Sequence, residues 1–408
     1  MLLLSLASLI LMLNRSSVVR CFSPAFQSAG KRRFGRYISP HLIRFSSSQT
    51  ISGPGGVSTT RFSSSTADKS FESTQLGQKG AHLFDGLDVY SVKAKGDDHP
   101  LAVYGIQSTE PVQYQEDPSL RPILLLHGRT WSSVPVYHLM GGPTHRARGD
   151  ESRSLMEALL EHGLVPYCMD FRGFGGTAKD DTGCVEPLRC VRDTESVLEW
   201  IAERHGFDAD LIDTNGTKAE LPALLGWSQG ALVAQLTAQL KRTALSKLIL
   251  YGSIYDPLHR YPRDPLYVNM NPDPAKVPEP RLNTFDDAIE DFTIEGTIPP
   301  EPACHFGTAA LVSDPIKASW RHLYQFNNCD PARIHVPTLV VAGDQDPYAP
   351  LHIQQELFCN LGRGSDRTWS ILADSDHAVH LLDGRHRLTS IIVSFIQNSK
   401  RKEQGVYY

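Results

Sequence analysis

The segment Leu225-Gly226-Trp227-Ser228-Gln229-Gly230 decides how this chain of 408 residues is interpreted. An apolar run precedes the serine and an apolar-rich helical pattern follows it, so the serine lies at a strand-to-helix turn. Glycines two positions before and two positions after it leave room for neighbouring backbone at a sharp, strained turn. The helix that starts there directs its positive end toward a developing oxyanion. The segment therefore predicts that Ser228 is a nucleophile.

Strand-like and helix-like segments alternate on both sides of this turn. Residues 88–93 and 101–106 alternate apolar and polar side chains around a Gly-Asp-Asp turn, which predicts an antiparallel hairpin. Residues 122–126 form a continuous apolar run, typical of a parallel strand buried on both faces. Together these patterns predict an α/β fold with a mostly parallel central sheet and helices on both faces.

The alternation stops between residues 256 and 331, where prolines recur throughout. Because proline excludes long regular elements, we expect a loop-rich insertion with a few short helices, such as 284–292 and 317–326. The predicted organisation places the first part of the core at 71–255, the insertion at 256–331 and the second part of the core at 332–398. Residues 399–408 are predicted to be a flexible tail.

The first 67 residues differ from the rest in charge. Residues 1–67 contain eight Lys and Arg, no Asp or Glu, and dense serine, which is typical of an organelle transit peptide and predicts a largely disordered leader. Arg-Phe-Ser-Ser-Ser at 44–48 and 61–65 resembles mitochondrial processing sites, so a mitochondrial address is favoured. The apolar run 2–13 has the length of a secretory h-region but lacks a basic region before it. A plastid address through a bipartite leader, a secretory route and a tail with no address remain alternatives.

The composition of the remaining chain restricts its partners. It carries 32 Lys and Arg against 45 Asp and Glu, which argues against nucleic acid or an anionic membrane as the main partner. The apolar run at the N-terminus is shorter than the roughly 20 residues of a spanning helix, so no stable membrane span is expected. Seven cysteines without Cys-x-x-Cys spacing predict neither a disulfide framework nor a metal site. No Gly-x-Gly-x-x-Gly follows the first strands, so no nucleotide cofactor is expected. The oligomeric state stays open.

A serine hydroxyl needs a base that takes its proton. His377 follows the last predicted strand, where a loop can reach over the carboxyl edge of the sheet, and it is the favoured base. His380 is the alternative, and its other explanation is a structural histidine in the first turn of the next helix.

The imidazole in turn needs a carboxylate that holds one tautomer. Asp346 lies just past a buried strand and is the favoured acid, whereas Asp344 is the alternative and is also typical of a turn or a helix cap. The order Ser228, Asp346, His377 along the chain is the order expected for a nucleophile elbow of this kind.

Acyl transfer also requires two hydrogen-bond donors aimed at the oxyanion. The backbone N–H of Gln229, the residue after the nucleophile, is the first candidate. The second is the N–H of Arg129 in the turn after the apolar run 122–126, with Thr130 as the alternative. His127 in the same turn is interpreted as a structural residue that braces the loop.

These motifs together resemble the α/β-hydrolase superfamily across about residues 71–398. His127-Gly128 matches the His-Gly oxyanion turn, and Asp-Phe-Arg-Gly-Phe-Gly-Gly-Thr at 170–177 is similar to the Asp-x-Arg-Gly-x-Gly-x-Ser loop. Residues 343–350 match the acid loop, which places the acid on Asp346. Residues 376–382 resemble the histidine loop, with Asp376 where glycine is common.

The resemblance implies a lid formed by the insertion over the nucleophile. Six aromatic residues are candidates for apolar pocket walls, although core packing is the favoured explanation for each: Trp131, Trp227, Tyr251, Tyr255, Trp320 and Tyr324. Related epoxide hydrolases and haloalkane dehalogenases use aspartate as the nucleophile. Serine at this position therefore disfavours an alkyl-enzyme mechanism.

The leading hypothesis is a carboxylic-ester hydrolase that acts on a small or medium-sized apolar ester through an acyl-enzyme on Ser228. The enzymatic alternative is a thioesterase or a lysophospholipase-type lipid hydrolase. The alternative from another class is a non-catalytic member of the fold that binds a small molecule.

Overall fold

An eight-stranded sheet runs through the part of the chain that the computed structural model describes, residues 81–106, 121–207, 221–241, 243–267, 276–277 and 279–397. The strands in this part are β1 (Leu87–Lys93), β2 (Pro100–Ile106), β3 (Pro122–Leu126), β4 (His138–Leu139), β5 (Arg153–Ser154), β6 (Val165–Met169), β7 (Ala223–Trp227), β8 (Leu248–Tyr251), β9 (Thr338–Gly343) and β10 (Arg367–Leu372). The α-helices are α1 (Ser133–Tyr137), α2 (Pro143–Arg148), α3 (Leu155–Glu161), α4 (Pro187–Arg204), α5 (Gln229–Leu240), α6 (Phe285–Ile289), α7 (Pro300–Ser313), α8 (Leu351–Cys359) and α9 (Arg385–Gln397).

The strand order confirms the mostly parallel sheet. It is β1-β2-β6-β3-β7-β8-β9-β10, with β4 and β5 forming a separate two-stranded ribbon. The pairs β1–β2 and β2–β6 are antiparallel, which confirms the predicted hairpin, and every later pair in the order is parallel.

The central strands are buried on both faces, as their continuous apolar sequences predicted. Leu124 and Leu125 are neighbours in β3 and belong to different core clusters, since successive side chains of a strand point to opposite faces. Leu125 shares its cluster with apolar side chains of α3 and α9, and Leu124 with those of α4 and α5. Helices therefore cover both faces, and the carboxyl ends of the parallel strands are left to carry loops.

The turn at Ser228 is tighter than the apolar pattern predicted. A strand before the serine and a helix after it were predicted, and they come within one residue of each other, since β7 ends at Trp227 and α5 begins at Gln229. Trp227 extends the strand because it pairs with Tyr251 of β8, a contact that local apolar content does not reveal. Ser228 is thus the single residue between strand and helix.

The insertion is more regular than its prolines predicted. Helix α7 has 14 residues, which corrects the expectation of short helices only. Pro300 and Pro302 lie in its first turn, where backbone N–H groups have no intrahelical partner, so proline removes no hydrogen bond there. The expected piece at 284–292 is the shorter helix α6, and the piece at 317–326 becomes a 3₁₀ segment, Leu323–Asn328.

The predicted leader (1–67) and tail (399–408) lie outside the described residues, so they remain predictions, as do the domain boundaries. In the described part of the chain, no helix combines the length and the apolarity needed to cross a bilayer.

Candidate active site

Ser228 has a backbone conformation that few non-glycine residues adopt. Its φ is 57° and its ψ is −122°, between the last residue of β7 and the first of α5. Such a conformation costs about 1–3 kcal/mol and persists only where the surroundings impose it. The Ser228 N–H donates to the carbonyl of Tyr251 at 3.1 Å, which fixes the turn to the neighbouring strand. The serine is held at the carboxyl edge of the sheet.

The two glycines of the turn lie where neighbouring backbone leaves no room for a side chain. A Cβ atom on Gly226 would lie 2.3 Å from the carbonyl oxygen of Gly230. A Cβ atom on Gly230 would lie 2.3 Å from the carbonyl oxygen of His127. Both distances are far below van der Waals contact with rigid backbone, so no side chain fits at either position. This is the crowding that the sequence motif predicted.

His377 and Asp346 form a buried hydrogen-bonded pair. The Nδ1 of His377 lies 2.8 Å from Oδ2 of Asp346, and the two residues are 3% and 5% exposed. The other carboxylate oxygen, Oδ1, accepts the backbone N–H groups of Tyr348 and Ala349 at 2.9 and 3.0 Å. A carboxylate held in this way accepts the Nδ1 proton and leaves Nε2 of His377 as the proton acceptor.

The pKa of His377 is raised above its ordinary value. Burial alone lowers this pKa, but the charge of Asp346 and its hydrogen bond to the ring raise it by more. The neighbouring carboxyl groups of Asp291 and Asp376 raise it further. The pair is therefore electrostatically coupled, and Asp346 is the partner that raises the pKa of His377 most.

Two aromatic residues hold the backbone of His377. The indole Nε1 of Trp227 donates to the His377 carbonyl at 2.9 Å, and the hydroxyl of Tyr251 donates to it at 3.1 Å. The rings of Trp227 and His377 are 5.0 Å apart between centroids. The residue before the serine thus fixes the loop that carries the histidine. The sequence offered no signal for this role beyond the position of Trp227 next to Ser228.

Gly252, which follows β8, lies between the elbow and the histidine–aspartate pair. A Cβ atom on Gly252 would lie 3.2 Å from both Oδ2 of Asp346 and Nδ1 of His377. Its neighbour Tyr251 accepts the N–H of Ser228. Tyr251 and Gly252 are thus in contact with Ser228 on one side and with the His377–Asp346 pair on the other, and the three residues follow the carboxyl ends of β7, β10 and β9.

Asp344 and His380, the two alternatives, have other partners. Asp344 is exposed, and its Oδ1 accepts the backbone N–H of Ser375 at 3.1 Å, as a turn aspartate does. His380 is buried, and its Nδ1 lies 2.9 Å from the Tyr251 hydroxyl. Burial and the nearby charge of His377 lower the pKa of His380 to about 3.

The His127-Gly128-Arg129 turn abuts the elbow. A Cβ atom on Gly128 would lie 3.2 Å from Cβ of Ser228, so glycine permits this approach. The Arg129 carbonyl accepts the indole N–H of Trp320 at 2.9 Å, its side chain is exposed, and Thr130 is half-buried. Gln229 is fully buried and is the first residue of α5, where a backbone N–H has no intrahelical acceptor.

Both ring nitrogens of His127 form hydrogen bonds with neighbouring backbone, so the residue braces the loop. Its Nε2 accepts the N–H of Phe171 at 3.1 Å, so Nδ1 carries the proton and donates to the Gly128 carbonyl at 3.0 Å. Burial lowers the pKa of His127 to about 4, which keeps the ring neutral. Both nitrogens are occupied, in agreement with the structural interpretation.

The loop 170–177 serves as scaffolding around this turn. Asp170 accepts hydrogen bonds from the N–H groups of Ser133 and Gly176 and from the hydroxyl of Tyr104, at 2.8–2.9 Å. Arg172 is buried and forms ion pairs with Asp193 and other carboxylates. These groups fix the loop rather than face the serine.

The insertion contacts three of the loops described above. Thr293 donates its N–H to Oδ2 of Asp376 at 2.9 Å, beside His377. Trp320 donates to Arg129 in the turn next to the elbow. Asp314 accepts the N–H groups of Ser132 and Gly175 at 2.7 and 2.9 Å. Asp376, which stands where the related loops commonly have glycine, thus ties the insertion to the histidine loop.

The six aromatic candidates for pocket walls fall into two groups. Four are buried within the two core clusters: Trp131, Trp227, Tyr251 and Trp320. The other two are Tyr255, which lines a pocket of about 320 Å³ with Phe326 and Tyr261, and Tyr324, which lies under the guanidinium of Arg263. Among the described residues, no group of three His, Cys, Asp or Glu side chains is arranged to hold a metal ion.

The sequence model of a family described as the alpha/beta hydrolase family matches residues 123–388, more than half of the chain. This protein belongs to that family. The match spans the elbow, the acid loop and the histidine loop, and it agrees with the sheet order and the helices on both faces.

Solved structures with a similar fold include an esterase, a lipase and a thioesterase domain. A thermophilic esterase from Thermogutta terrifontis is 16% identical, with a TM-score of 0.47 over 76% of this chain and 98% of that one. A monoacylglycerol lipase from Paleococcus ferrophilus is 15% identical, with a TM-score of 0.48 over 73% and 98%. The thioesterase domain from the curacin biosynthetic pathway is 13% identical, with a TM-score of 0.48 over 76% and 99%. At these identities and TM-scores the likeness says nothing about activity. No curated protein matches the sequence significantly.

Proposed function

We propose that this protein is a serine hydrolase that cleaves a carboxylic ester, or a related acyl bond, through an acyl-enzyme on Ser228. The observation that carries the proposal is the buried hydrogen bond of 2.8 Å between Nδ1 of His377 and Oδ2 of Asp346, next to a serine in a strained turn. A carboxylate that fixes one tautomer of an imidazole beside a strained serine is the arrangement that nucleophilic catalysis by serine requires.

In the first step, Ser228 Oγ attacks the carbonyl carbon of the substrate, and Nε2 of His377 takes the hydroxyl proton. Asp346 stabilises the imidazolium that forms, because it already accepts the Nδ1 proton. The C–O bond to the leaving group then breaks, and His377 gives its proton to the departing alcohol. Water attacks the acyl-enzyme in the same way, which releases the acid and restores the serine.

The oxyanion of each tetrahedral intermediate needs two donors. We assign them to the backbone N–H groups of Gln229 and Arg129. Support comes from the position of Gln229 at the start of α5 and from the close approach of Gly128, which precedes Arg129, to Ser228. The start of α5 adds the positive end of the helix dipole.

We assign the choice of substrate to the insertion, residues 256–331, as a lid over the nucleophile. Its hydrogen bonds to Asp376 and Arg129 support this assignment, since they attach it to the loops on both sides of Ser228. We expect a small or medium-sized apolar ester as substrate.

Covalent labelling with a fluorophosphonate tests the proposal without knowledge of the substrate. Wild type should be labelled, whereas Ser228→Ala should not, and its ester hydrolysis should fall by about 10⁴-fold or more. Ser390→Ala is a matched control, because Ser390 is exposed on α9 and its hydroxyl donates to the His386 carbonyl. It should be labelled like wild type.

Two results would refute the serine hydrolase: an unlabelled wild type, or equal labelling of Ser228→Ala. Turnover of short-chain, long-chain and thioester substrates then separates an esterase from a lipid hydrolase or a thioesterase. Labelling without turnover of any acyl substrate would favour a binding protein of this fold.

A further inference from the structure

Asp314, the residue that follows helix α7 in the insertion, holds the turn that contains Arg129. The residue is 4% exposed, and its carboxylate accepts the N–H of Ser132 at 2.7 Å on Oδ2 and the N–H of Gly175 at 2.9 Å on Oδ1. Ser132 lies three residues after Arg129 in the same turn. One buried carboxylate of the insertion therefore joins the oxyanion turn, defined here as residues 127–132, to the loop 170–177.

The backbone of Asp314 is fixed as well. Its N–H donates to the Ala310 carbonyl of α7 at 2.8 Å, and its carbonyl accepts the side-chain amide of Asn283 at 2.8 Å. A Cβ atom on Gly175 would lie 2.9 Å from Cβ of Ser132, so glycine allows the two N–H groups to reach the same carboxylate. The carboxylate thus has a fixed position relative to both of its donors.

Asp170 holds the next residue on each side. Its carboxylate accepts the N–H groups of Ser133 and Gly176 at 2.8 and 2.9 Å. Asp170 follows β6 and begins the loop motif at 170–177, whereas Asp314 belongs to a segment in which the sequence showed no motif. The core therefore anchors residue 133, and the insertion anchors residue 132.

A second hydrogen bond from the insertion reaches the other end of this segment. The indole Nε1 of Trp320 donates to the Arg129 carbonyl at 2.9 Å. The Trp320 ring is itself packed edge-on against Phe171, with 6.1 Å between centroids. Because Trp320 fixes the peptide unit after Arg129 and Asp314 fixes Ser132, residues 129–132 are attached to the insertion at both ends.

We propose that Asp314 and Trp320 are positioning residues for the oxyanion hole: their hydrogen bonds hold residues 129–132 so that the Arg129 N–H is aimed at the oxyanion. A donor displaced by about 1 Å from its productive position can cost about 100-fold in rate. The insertion thereby serves the chemistry as well as covering the serine. This inference rests on the proposed function, since it concerns a donor assigned to that reaction.

The protonation state of Asp314 makes this arrangement dependent on pH. Burial, with a smaller contribution from the charge of Asp170, raises the pKa of Asp314 to about 7, although the N–H groups of Gly175 and Ser132 oppose the rise. Above this pH the carboxylate accepts both N–H groups. Below it, a proton occupies one of the two oxygens and competes with the N–H that the oxygen accepted.

Four other titratable groups on elements packed around Asp314 keep one charge state near pH 7: Arg172, Asp287, Tyr137 and His138. Against the effect of burial, hydrogen bonds raise the pKa of Arg172 and lower that of Asp287, which pairs with Lys317. Burial raises the pKa of Tyr137 and lowers that of His138. Asp286 of α6 is exposed. Glu301, Cys304 and His305 of α7 lie about 13 Å or more before Asp314 along the helix.

The expected consequence is a rate difference that grows with pH. Asp314→Asn keeps the shape of the side chain and has one oxygen acceptor at every pH, like the protonated acid. The ratio of the wild-type labelling rate to that of Asp314→Asn should be below about threefold at pH 5.5 and rise through pH 7 to about 10- to 100-fold at pH 9. The titration of His377 occurs in both proteins and cancels in this ratio.

The experiment measures fluorophosphonate labelling rates and aryl-ester hydrolysis of the full-length protein from pH 5.5 to 9. KM of Asp314→Asn should stay within about threefold of wild type, because the donor acts on the transition state rather than on the bound ester. Trp320→Phe keeps an aromatic ring and removes the indole N–H, so its labelling rate should fall by about 3- to 10-fold at every pH.

Asp264→Asn is the matched control. Asp264 is an exposed carboxylate of the insertion that also accepts a backbone N–H, that of Leu266, at 3.0 Å. Its labelling rate should stay within about twofold of wild type at every pH.

Each outcome decides one point. An unlabelled wild type would refute the serine hydrolase itself. A labelled wild type whose rate above pH 8 equals that of Asp314→Asn would overturn the role of Asp314 and leave the serine hydrolase standing. A lower rate with a ratio that does not change with pH, or an equal loss in Asp264→Asn, would also overturn it, since a general effect on the fold explains both. If Asp314→Asn does not fold, an unmoved labelling rate in Trp320→Phe overturns the inference.

Discussion

Two histidines of the histidine loop, residues 376–382, have similar burial, but their pKa values are shifted in opposite directions. His377 is 3% exposed and faces the acid loop, whereas His380 is 1% exposed and lies among the rings of Tyr137, Trp227 and Tyr251. The pKa of His377 is raised, and that of His380 is lowered to about 3. The two histidines differ in their partners rather than in their burial, and a carboxylate partner gives the opposite direction of the pKa shift.

The largest expected effect comes from the histidines themselves. His377→Ala should reduce ester hydrolysis and labelling of Ser228 by about 10⁴- to 10⁶-fold, because the variant lacks the group proposed to take the serine proton. His380→Asn keeps an amide that can bond to the Tyr251 hydroxyl, and it should cost at most about 100-fold through small displacements of His377. Steady-state hydrolysis of an aryl ester measures both. Equal losses of activity in the two variants would show that the carboxylate partner does not distinguish His377 from His380 as the base.

A smaller effect is expected when the carboxylate is changed instead of the ring. Asp346→Asn should lower kcat by about 10⁴-fold, because an amide no longer holds the required tautomer of His377. Asp344→Asn is the control at the neighbouring acid, which is exposed and bonded to the Ser375 N–H, and it should change kcat by less than about threefold. Both are measured with the same substrate. A larger loss of kcat in Asp344→Asn than in Asp346→Asn would show that Asp344, and not Asp346, is the acid.

The smallest effect is on stability, and its sign differs between the two histidines. The pKa of His380 is about 3 in the folded protein and about 6.5 when unfolded, so the unfolded chain binds an extra proton between those values. The free energy of unfolding should therefore fall with decreasing pH by up to about 1.4 kcal/mol per pH unit from this residue. His127, with a pKa of about 4, adds a contribution of the same sign.

His377 contributes with the opposite sign. Its pKa is raised in the folded protein, so its stabilising contribution is fully present below pH 6.5 and is lost as the pH rises through the folded value. Urea unfolding at several pH values checks this. His380→Asn should flatten the rise of stability between pH 4 and 6, and His377→Asn should remove the fall of stability with pH above 6.5. Identical slopes in the two variants would contradict the opposite pKa directions.

Much of the fold could be predicted because local spacing determines it. Residues 122–126 are continuously apolar and form the buried strand β3, and the alternation at 88–93 and 101–106 gives the antiparallel pair β1–β2. The motif around Ser228 specified the turn, since Gly226 and Gly230 are required by backbone contacts within and beside the elbow. Helix α7 was missed, because prolines in a first turn resemble those of a loop.

The candidate site was predicted only in part. Asp344 and Asp346 follow the same strand and look alike in sequence, and the contact that separates them is made to a histidine loop 31 residues away from Asp346. The indole of Trp227 bonds to the His377 carbonyl across 150 residues. No local pattern carries such information, because it depends on where the sheet brings two loops together.

The α/β class, the strand-to-helix turn at Ser228 and the short sets of candidates for acid and base follow from local features of the chain, namely hydrophobic period, glycine spacing and the order of the motifs. The basic leader and its organelle address remain predictions from composition. The choice between the two aspartates depends on tertiary structure, which brings Asp346 against His377 and leaves Asp344 bonded to the Ser375 N–H. Electrostatic coupling acts over a few ångströms in space, and distances along the chain do not encode it.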